Sequence, residues 1–279
     1  MWIDGNRIYC DKTKLNDHLT QKLHYNENDA NGIIQQINEH IKRSLPDYFW
    51  KSAAENMSTE AVRVLLHSIE HSQLIRLLSY QDEYGYTALH CCAFNKRNEV
   101  IKVILGSVGE EECYQLLSIR DYSRWTPLHM SCWGGDTESV RVMLSHINQD
   151  MRYSLLQMRN DYDNTPLNHA SYHGHIDLMK SISKSVTQTQ WINILQMKGY
   201  SALTALQDAV YWNEQSSIDT IRDSVGDEEW IQLLSTPLPE YNQWHHNNDR
   251  YQRAVDRTDE LRAAARVKCV LQTENNSGM

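Results

Sequence analysis

The chain has 279 residues, 41% apolar and 23% charged, with 11 Gly and 5 Pro, a globular composition unlike that of a disordered or collagen-like chain. No run of 18 apolar residues occurs, which excludes a helical membrane span, and the first seven residues lack the apolar stretch of a secretory signal. The net charge of −9 falls between Asp47 and Thr236, with 15 basic against 24 acidic groups, because residues 1–46 and 237–279 each hold six of either sign. So acidic a middle argues against sequence-independent nucleic-acid binding, which needs Lys and Arg to neutralise phosphates, and is no obstacle to a basic protein partner.

In chain order, residues 1–46 are predicted to hold helices near Lys14–Leu23 and Asn31–Leu45. A repeat then governs the sequence to Thr236. Thr-Ala-Leu-His begins at Thr87, Thr-Pro-Leu-His at Thr126, Thr-Pro-Leu-Asn at Thr165 and Thr-Ala-Leu-Gln at Thr204, a spacing of 39 residues each time. The apolar pairs Leu77-Leu78, Leu116-Leu117, Leu155-Leu156, Ile194-Leu195 and Leu233-Leu234 keep the same step and supply a fifth copy.

Each unit reads as helices joined by polar turns. Its Thr suits an N-cap, and Pro127 and Pro166 sit at the first helical position, where a missing N–H costs nothing. Three residues after the Leu position come small side chains, at Ala53, Cys92, Ser131, Ala170 and Ala209, which let neighbouring helices approach. Gly135 or Gly174 then breaks the chain before a second helix, for example through Val140, Val142, Met143 and Leu144. Beyond Thr236, Thr-Pro-Leu-Pro ends the pattern. A last helix is predicted from about Asn247 to Leu271, with closely mixed charges and a thin apolar stripe.

Asp-x-x-Gly-x-Thr-Ala-Leu-His at Asp82–His90, Thr-Pro-Leu-His at Thr126–His129 and Gly-His-Ile-Asp-Leu-Met-Lys at Gly174–Lys180 resemble ankyrin repeats. The family unit is about 33 residues, a β-turn and two helices, so each 39-residue unit here carries about six more. That insert holds the Leu-Leu pair and is read as a short third helix or a lengthened second one. The resemblance implies an all-α solenoid of about five stacked ankyrin-like repeats over residues 47–236. Residues 1–46 and the helix within 237–279 would then cap its ends. The first copy, with Trp50 in the Leu position, and the last rest on register alone.

The resemblance also implies binding rather than catalysis, with contacts from the turns and from the exposed end of each first helix. The turn positions are Tyr84, Tyr86, Tyr122, Trp125, Tyr162 and Tyr200. Five residues after the Leu come Phe94, Trp133, Tyr172 and Tyr211, and one step on are His173 and Trp212. These rings either pack repeat against repeat or line a concave contact face. The balance of 15 Tyr and 8 Trp against 2 Phe favours a half-wet surface, where rings with a polar handle dominate recognition. The expected partner is therefore a protein or peptide. A methyl-lysine or other cationic peptide is the alternative ligand, since some ankyrin-repeat proteins hold methylated lysine in aromatic cages. A role as inhibitor or effector of a partner enzyme is a further alternative.

Other groupings are read structurally. His129 and Cys132 lie three apart, but His90 and His129 hold the family's His position, expected to bond backbone between repeats, and Cys132 holds the small-residue position. His169, His173 and His175 lack the thiolate or carboxylate partners of a closed zinc site. Neither Gly-x-Gly-x-x-Gly, a P-loop nor His-Glu-x-x-His occurs, so no nucleotide, metal or other cofactor is expected. The six cysteines read as reduced thiols of an intracellular protein, cytoplasmic or nuclear.

Overall fold

A computed structural model describes residues 2–4, 7–9, 19–20, 26–42, 57–200, 202–239 and 248–277. The first helix of the predicted first repeat, with Trp50 and Ala53, lies outside these residues, as does most of the predicted helix at Lys14–Leu23. At the N-terminus the expected all-helical segment is joined by two strands, β1 (Trp2–Asp4) and β2 (Arg7–Tyr9). They pair antiparallel with Ile3 opposite Ile8. Helix α1 (Glu27–Lys42) follows, opened by Asn26, whose Oδ1 accepts from the Asp29 N–H at 2.9 Å.

The 39-residue unit is realised as three short helices. In the first compact unit, Met1–Met151, they are α2 (Thr59–His67), α3 (His71–Leu78), α4 (Ala88–Phe94), α5 (Asn98–Leu105), α6 (Glu110–Ser118), α7 (Pro127–Gly134) and α8 (Thr137–Ser145). Helix α9 (Gln149–Leu156) spans the boundary. The second unit, Arg152–Met279, continues with α10 (Pro166–Tyr172), α11 (Ile176–Ser183), α12 (Gln188–Leu195), α13 (Ala205–Trp212), α14 (Gln215–Asp223), α15 (Asp227–Ser235) and α16 (Asn248–Ser277). The insert is thus a separate third helix, and its starts at His71, Glu110, Gln149, Gln188 and Asp227 keep the 39-residue step. Each of the five apolar pairs is buried. Fully burying one Leu stabilises by about 1.5–3 kcal/mol, and the third helix therefore extends the core.

Like helices pair within each unit. First helices pack as α4 on α7 and as α10 on α13, and second helices as α2 on α5, α5 on α8 and α11 on α14. The small-residue positions Cys92, Ser131, Ala170 and Ala209 are buried where the first helices meet. Helix α16 packs against α13 and α15, burying Ala254 and Thr258. Its Arg262 Nε donates to the Leu234 carbonyl at 2.6 Å, and Tyr251 Oη to that of Pro239 at 2.6 Å.

Hydrogen bonds explain the Thr-x-Leu-His signature and its variants. The Thr87 N–H donates to His90 Nδ1 at 3.1 Å, which leaves the proton on Nε2, and Nε2 donates to the Trp125 carbonyl at 3.0 Å. Gln207 does the same with an amide, accepting from the Thr204 N–H at 3.0 Å and donating to the Thr236 carbonyl at 3.0 Å. Asn168 accepts from the Thr165 N–H at 3.0 Å and donates to Asp208 Oδ2 at 3.3 Å. Each residue joins one acceptor and one donor on a short side chain, which is what capping a helix while reaching the next repeat demands.

Candidate functional site

The turns before the first helices are shaped by one carboxylate or amide each. Asp82 Oδ1 accepts from the N–H groups of Tyr84 and Tyr86 at 2.9 and 2.8 Å. Asp121 Oδ1 serves Ser123 and Trp125 at 2.9 and 2.7 Å, and Asn160 Oδ1 serves Tyr162 and Asn164, both at 3.0 Å. Such side-chain turns hold the following aromatic residues at the tip. Gly85 has φ of +81°, and a Cβ there would meet the Tyr122 backbone N at 2.7 Å. At the fourth turn Gly199 stands in the Asp position because the Asn164 side chain fills the space, with its Oδ1 accepting from the Tyr200 N–H at 2.9 Å.

In the first unit Tyr84 and Tyr122 are exposed at their tips. Tyr86 lies over the His90 ring at 5.9 Å and Trp125 is half-buried 6.1 Å from the His129 ring, so these two are partly packing residues. The helix-end rings behave differently. Phe94 is 64% exposed and Trp133 47% exposed, at the ends of the paired helices α4 and α7.

In the second unit Tyr162 and Tyr200 meet edge to face at 6.0 Å and remain exposed. Tyr172 is 39% exposed, its ring 4.7 Å from both His173 and Trp212. Tyr211, expected on the contact face, is instead 7% exposed. It packs against Trp212 at 5.3 Å, while the Arg250 guanidinium of α16 sits 4.2 Å from the Trp212 ring centre and 5.8 Å from that of Tyr211. The sequence reading missed Arg250. The signal was present, for Arg250 lies 39 residues after Tyr211 and so continues the register Phe94, Trp133, Tyr172, Tyr211.

The structure draws Tyr172, His173, Tyr211 and Trp212 together in one unit, while in the other Phe94 and Trp133 stand at the ends of the paired first helices α4 and α7. The rings of the cluster meet edge to face. Contacts of that kind leave no cage-like gap between Tyr172 and Trp212, so a cation approaches over a ring face, where a planar guanidinium stacks.

The remaining reactive groups are held by the core. Burial pushes the Cys92 and Cys132 thiols far above the ordinary range, and Cys113 up to about 11, so none is a thiolate nucleophile near neutrality. Burial lowers His90 to about 4. It lowers His169 to about 4 as well, with His173 adding to the effect, and His169 Nε2 meets Asn160 Nδ2 at 3.0 Å. His173 and His175 stack at 5.6 Å, and no group of three His, Cys, Asp or Glu among the described residues has metal-binding geometry. Burial raises the Asp208 carboxyl to about 8, partly offset by the Asn168 hydrogen bond. Among the described residues no helix is long and apolar enough to cross a membrane.

Comparison with known proteins agrees with this architecture. A family model of ankyrin repeats in three copies matches residues 107–194, and a model of a single ankyrin repeat matches residues 84–111. No curated protein matches the chain.

Proposed function

For this chain, an ankyrin-repeat protein, we propose a non-catalytic adaptor role in which first-helix ends and turn tips hold a protein or peptide partner. Ankyrin repeats are in general protein-interaction modules. The observation that carries the finer reading is the exposure of Phe94 and Trp133 in the register position of successive repeats, although stacking of α4 on α7 does not require large rings there. Exposed aromatic anchors of this kind dominate interface energetics, because two χ angles are all that must be frozen to bury a large area. Tyr84 and Tyr122 extend the surface at the tips, and Tyr162, Tyr172, His173 and Tyr200 form its counterpart in the second unit. The acidic charge of residues 47–236 suits a basic partner. The setting for it is the cytoplasm or nucleus.

A cationic side chain as the recognised group is supported by one contact, the stacking of Arg250 on Trp212. The test of the adaptor reading compares proteins captured from a lysate by the wild-type chain and by Phe94→Ala/Trp133→Ala, quantified by mass spectrometry. A partner lost from the double variant, with circular dichroism and melting unchanged, supports the reading. Identical captures by two folded proteins overturn the assignment of these rings.

A further inference from the structure

We infer that the Tyr172, Tyr211 and Trp212 cluster is a guanidinium-binding site that the chain fills with its own Arg250, so that a partner's arginine enters by displacing the start of α16. The inference rests on the adaptor reading above and names the chemistry that one part of the surface takes. Three observations carry it.

The first is the contact itself. Arg250 places its guanidinium 4.2 Å from the Trp212 ring centre and 5.8 Å from that of Tyr211, within the range of cation–π attraction. The ring of Tyr172, 4.7 Å from Trp212, is still partly exposed beside them, so a cation arriving from solvent meets one open ring before the two covered ones. Edge-to-face packing of the three rings presents flat faces rather than a cage, a geometry matched by the planar guanidinium and poorly matched by a compact ammonium.

The second is how weakly the occupant is held. The part of α16 that meets the last repeat buries Ala254 and Thr258, small side chains that contribute little apolar area. Cavities of about 200 and 270 Å³ lie between this helix and the repeat. One is lined by Ile218, Trp230, Leu261 and Lys268 among others, the other by Ile231, Leu234, Arg262 and Arg266. Under-filled contacts forfeit dispersion energy, so the apolar packing of this helix holds it less firmly than a filled seam would. Its first turns are tied by Tyr251 to the Pro239 carbonyl at 2.6 Å and by the exposed Arg257–Gln215 bond at 2.9 Å. Arg262 to the Leu234 carbonyl and the salt-sensitive Lys268–Asp227 pair hold later turns, so the start can lift while the rest stays docked.

The third is register. Arg250 falls 39 residues after Tyr211, where the aromatic series of the repeats would place its next member. A cation has taken that place, and it stacks on the last two rings of the series. An internal occupant lowers the apparent affinity for a competing ligand by the fraction of molecules in which the site is open. Removing it should therefore strengthen binding.

The experiment uses the full-length chain and fluorescein-labelled hexa-arginine and hexa-lysine peptides, read by anisotropy. Arg253→Ala, on the same helix, sets the effect of deleting one positive charge. The inference expects Arg250→Ala to bind hexa-arginine about fivefold or more tighter than Arg253→Ala does, from the size of one cation–π contact. It expects a smaller gain for hexa-lysine, and return of both affinities to the Arg253→Ala level when Trp212→Ala is added. Equal affinities for Arg250→Ala and Arg253→Ala overturn it, as does a gain that survives Trp212→Ala. Arg250→Gln repeats the measurement if the alanine variant does not fold. Loss of the lysate partner on changing Phe94 and Trp133 is a separate result, so the adaptor reading survives failure here.

Discussion

In the unit ending at Met151, Phe94 and Trp133 stand open to solvent, while in the unit beginning at Arg152 the same register position runs from half-open Tyr172 to buried Tyr211. The local sequence does not cause this difference, since each ring sits five residues after the Leu of a capped first helix. What differs is the neighbour. Helix α16 lies against α13 and brings Arg250 onto Trp212 and Tyr211, whereas the rings of α4 and α7 keep their outer faces. One repeated position is therefore open to solvent in one unit and packed in the other. Of the two readings that the sequence leaves open, packing is realised at Tyr211, while Phe94 and Trp133 keep the exposure that the proposed contact surface requires.

Substitutions turn this contrast into numbers. Tyr211→Ala should be the most costly of the ring truncations, about 3–5 kcal/mol, because it removes a buried aromatic ring and leaves a cavity. Urea denaturation of the variant against wild type checks it. A loss as small as that of a surface change would place Tyr211 outside the core.

Acid should act on both units by one mechanism. His90 in the first and His169 in the second have pKa values lowered from 6.5 to about 4 by burial, so each is neutral in the folded protein while the unfolded chain takes up protons from about pH 6.5 downward. The stability that depends on the neutral rings is complete above pH 6.5 and is lost as pH falls toward 4. Each ring should cost about 2 kcal/mol at pH 5. His90→Asn, which installs the residue found at position 168, should lower stability less between pH 7.5 and pH 5 than wild type loses over the same interval. Urea midpoints at the two pH values decide it, and parallel losses in wild type and variant would show that His90 is protonated in the folded state.

The smallest effect is expected in the open part of the register. Phe94→Ala should change stability by no more than about 0.5 kcal/mol, as a surface substitution away from caps and core does. The same urea measurement tests it. A loss close to that of Tyr211→Ala would erase the contrast between the two units and count Phe94 as packing.

Much of the fold was legible in the sequence because a repeat states each physical requirement several times. Thr caps, Pro at the first helical position, small residues where helices meet and the paired Leu of the third helix recur at one spacing, and their side chains act within a turn or two of where they stand. The N-terminal strands were less legible. Their signal is two apolar pairs, Trp2-Ile3 and Ile8-Tyr9, around Gly5-Asn6, too short to outweigh the helical pattern nearby. The candidate site was legible as a list of rings but not as an arrangement.

The sequence by itself determined the repeat length, the capping chemistry and the positions from which rings project, since these follow from local hydrogen bonding and periodic burial. Tertiary structure alone decided that the insert forms a separate third helix, that Gly199 yields its place to the Asn164 side chain, and that Arg250 covers Tyr211 and Trp212 while Phe94 and Trp133 stay open. Exposure depends on which elements come to lie against a residue, and for Tyr211 that element begins more than thirty residues further along the chain.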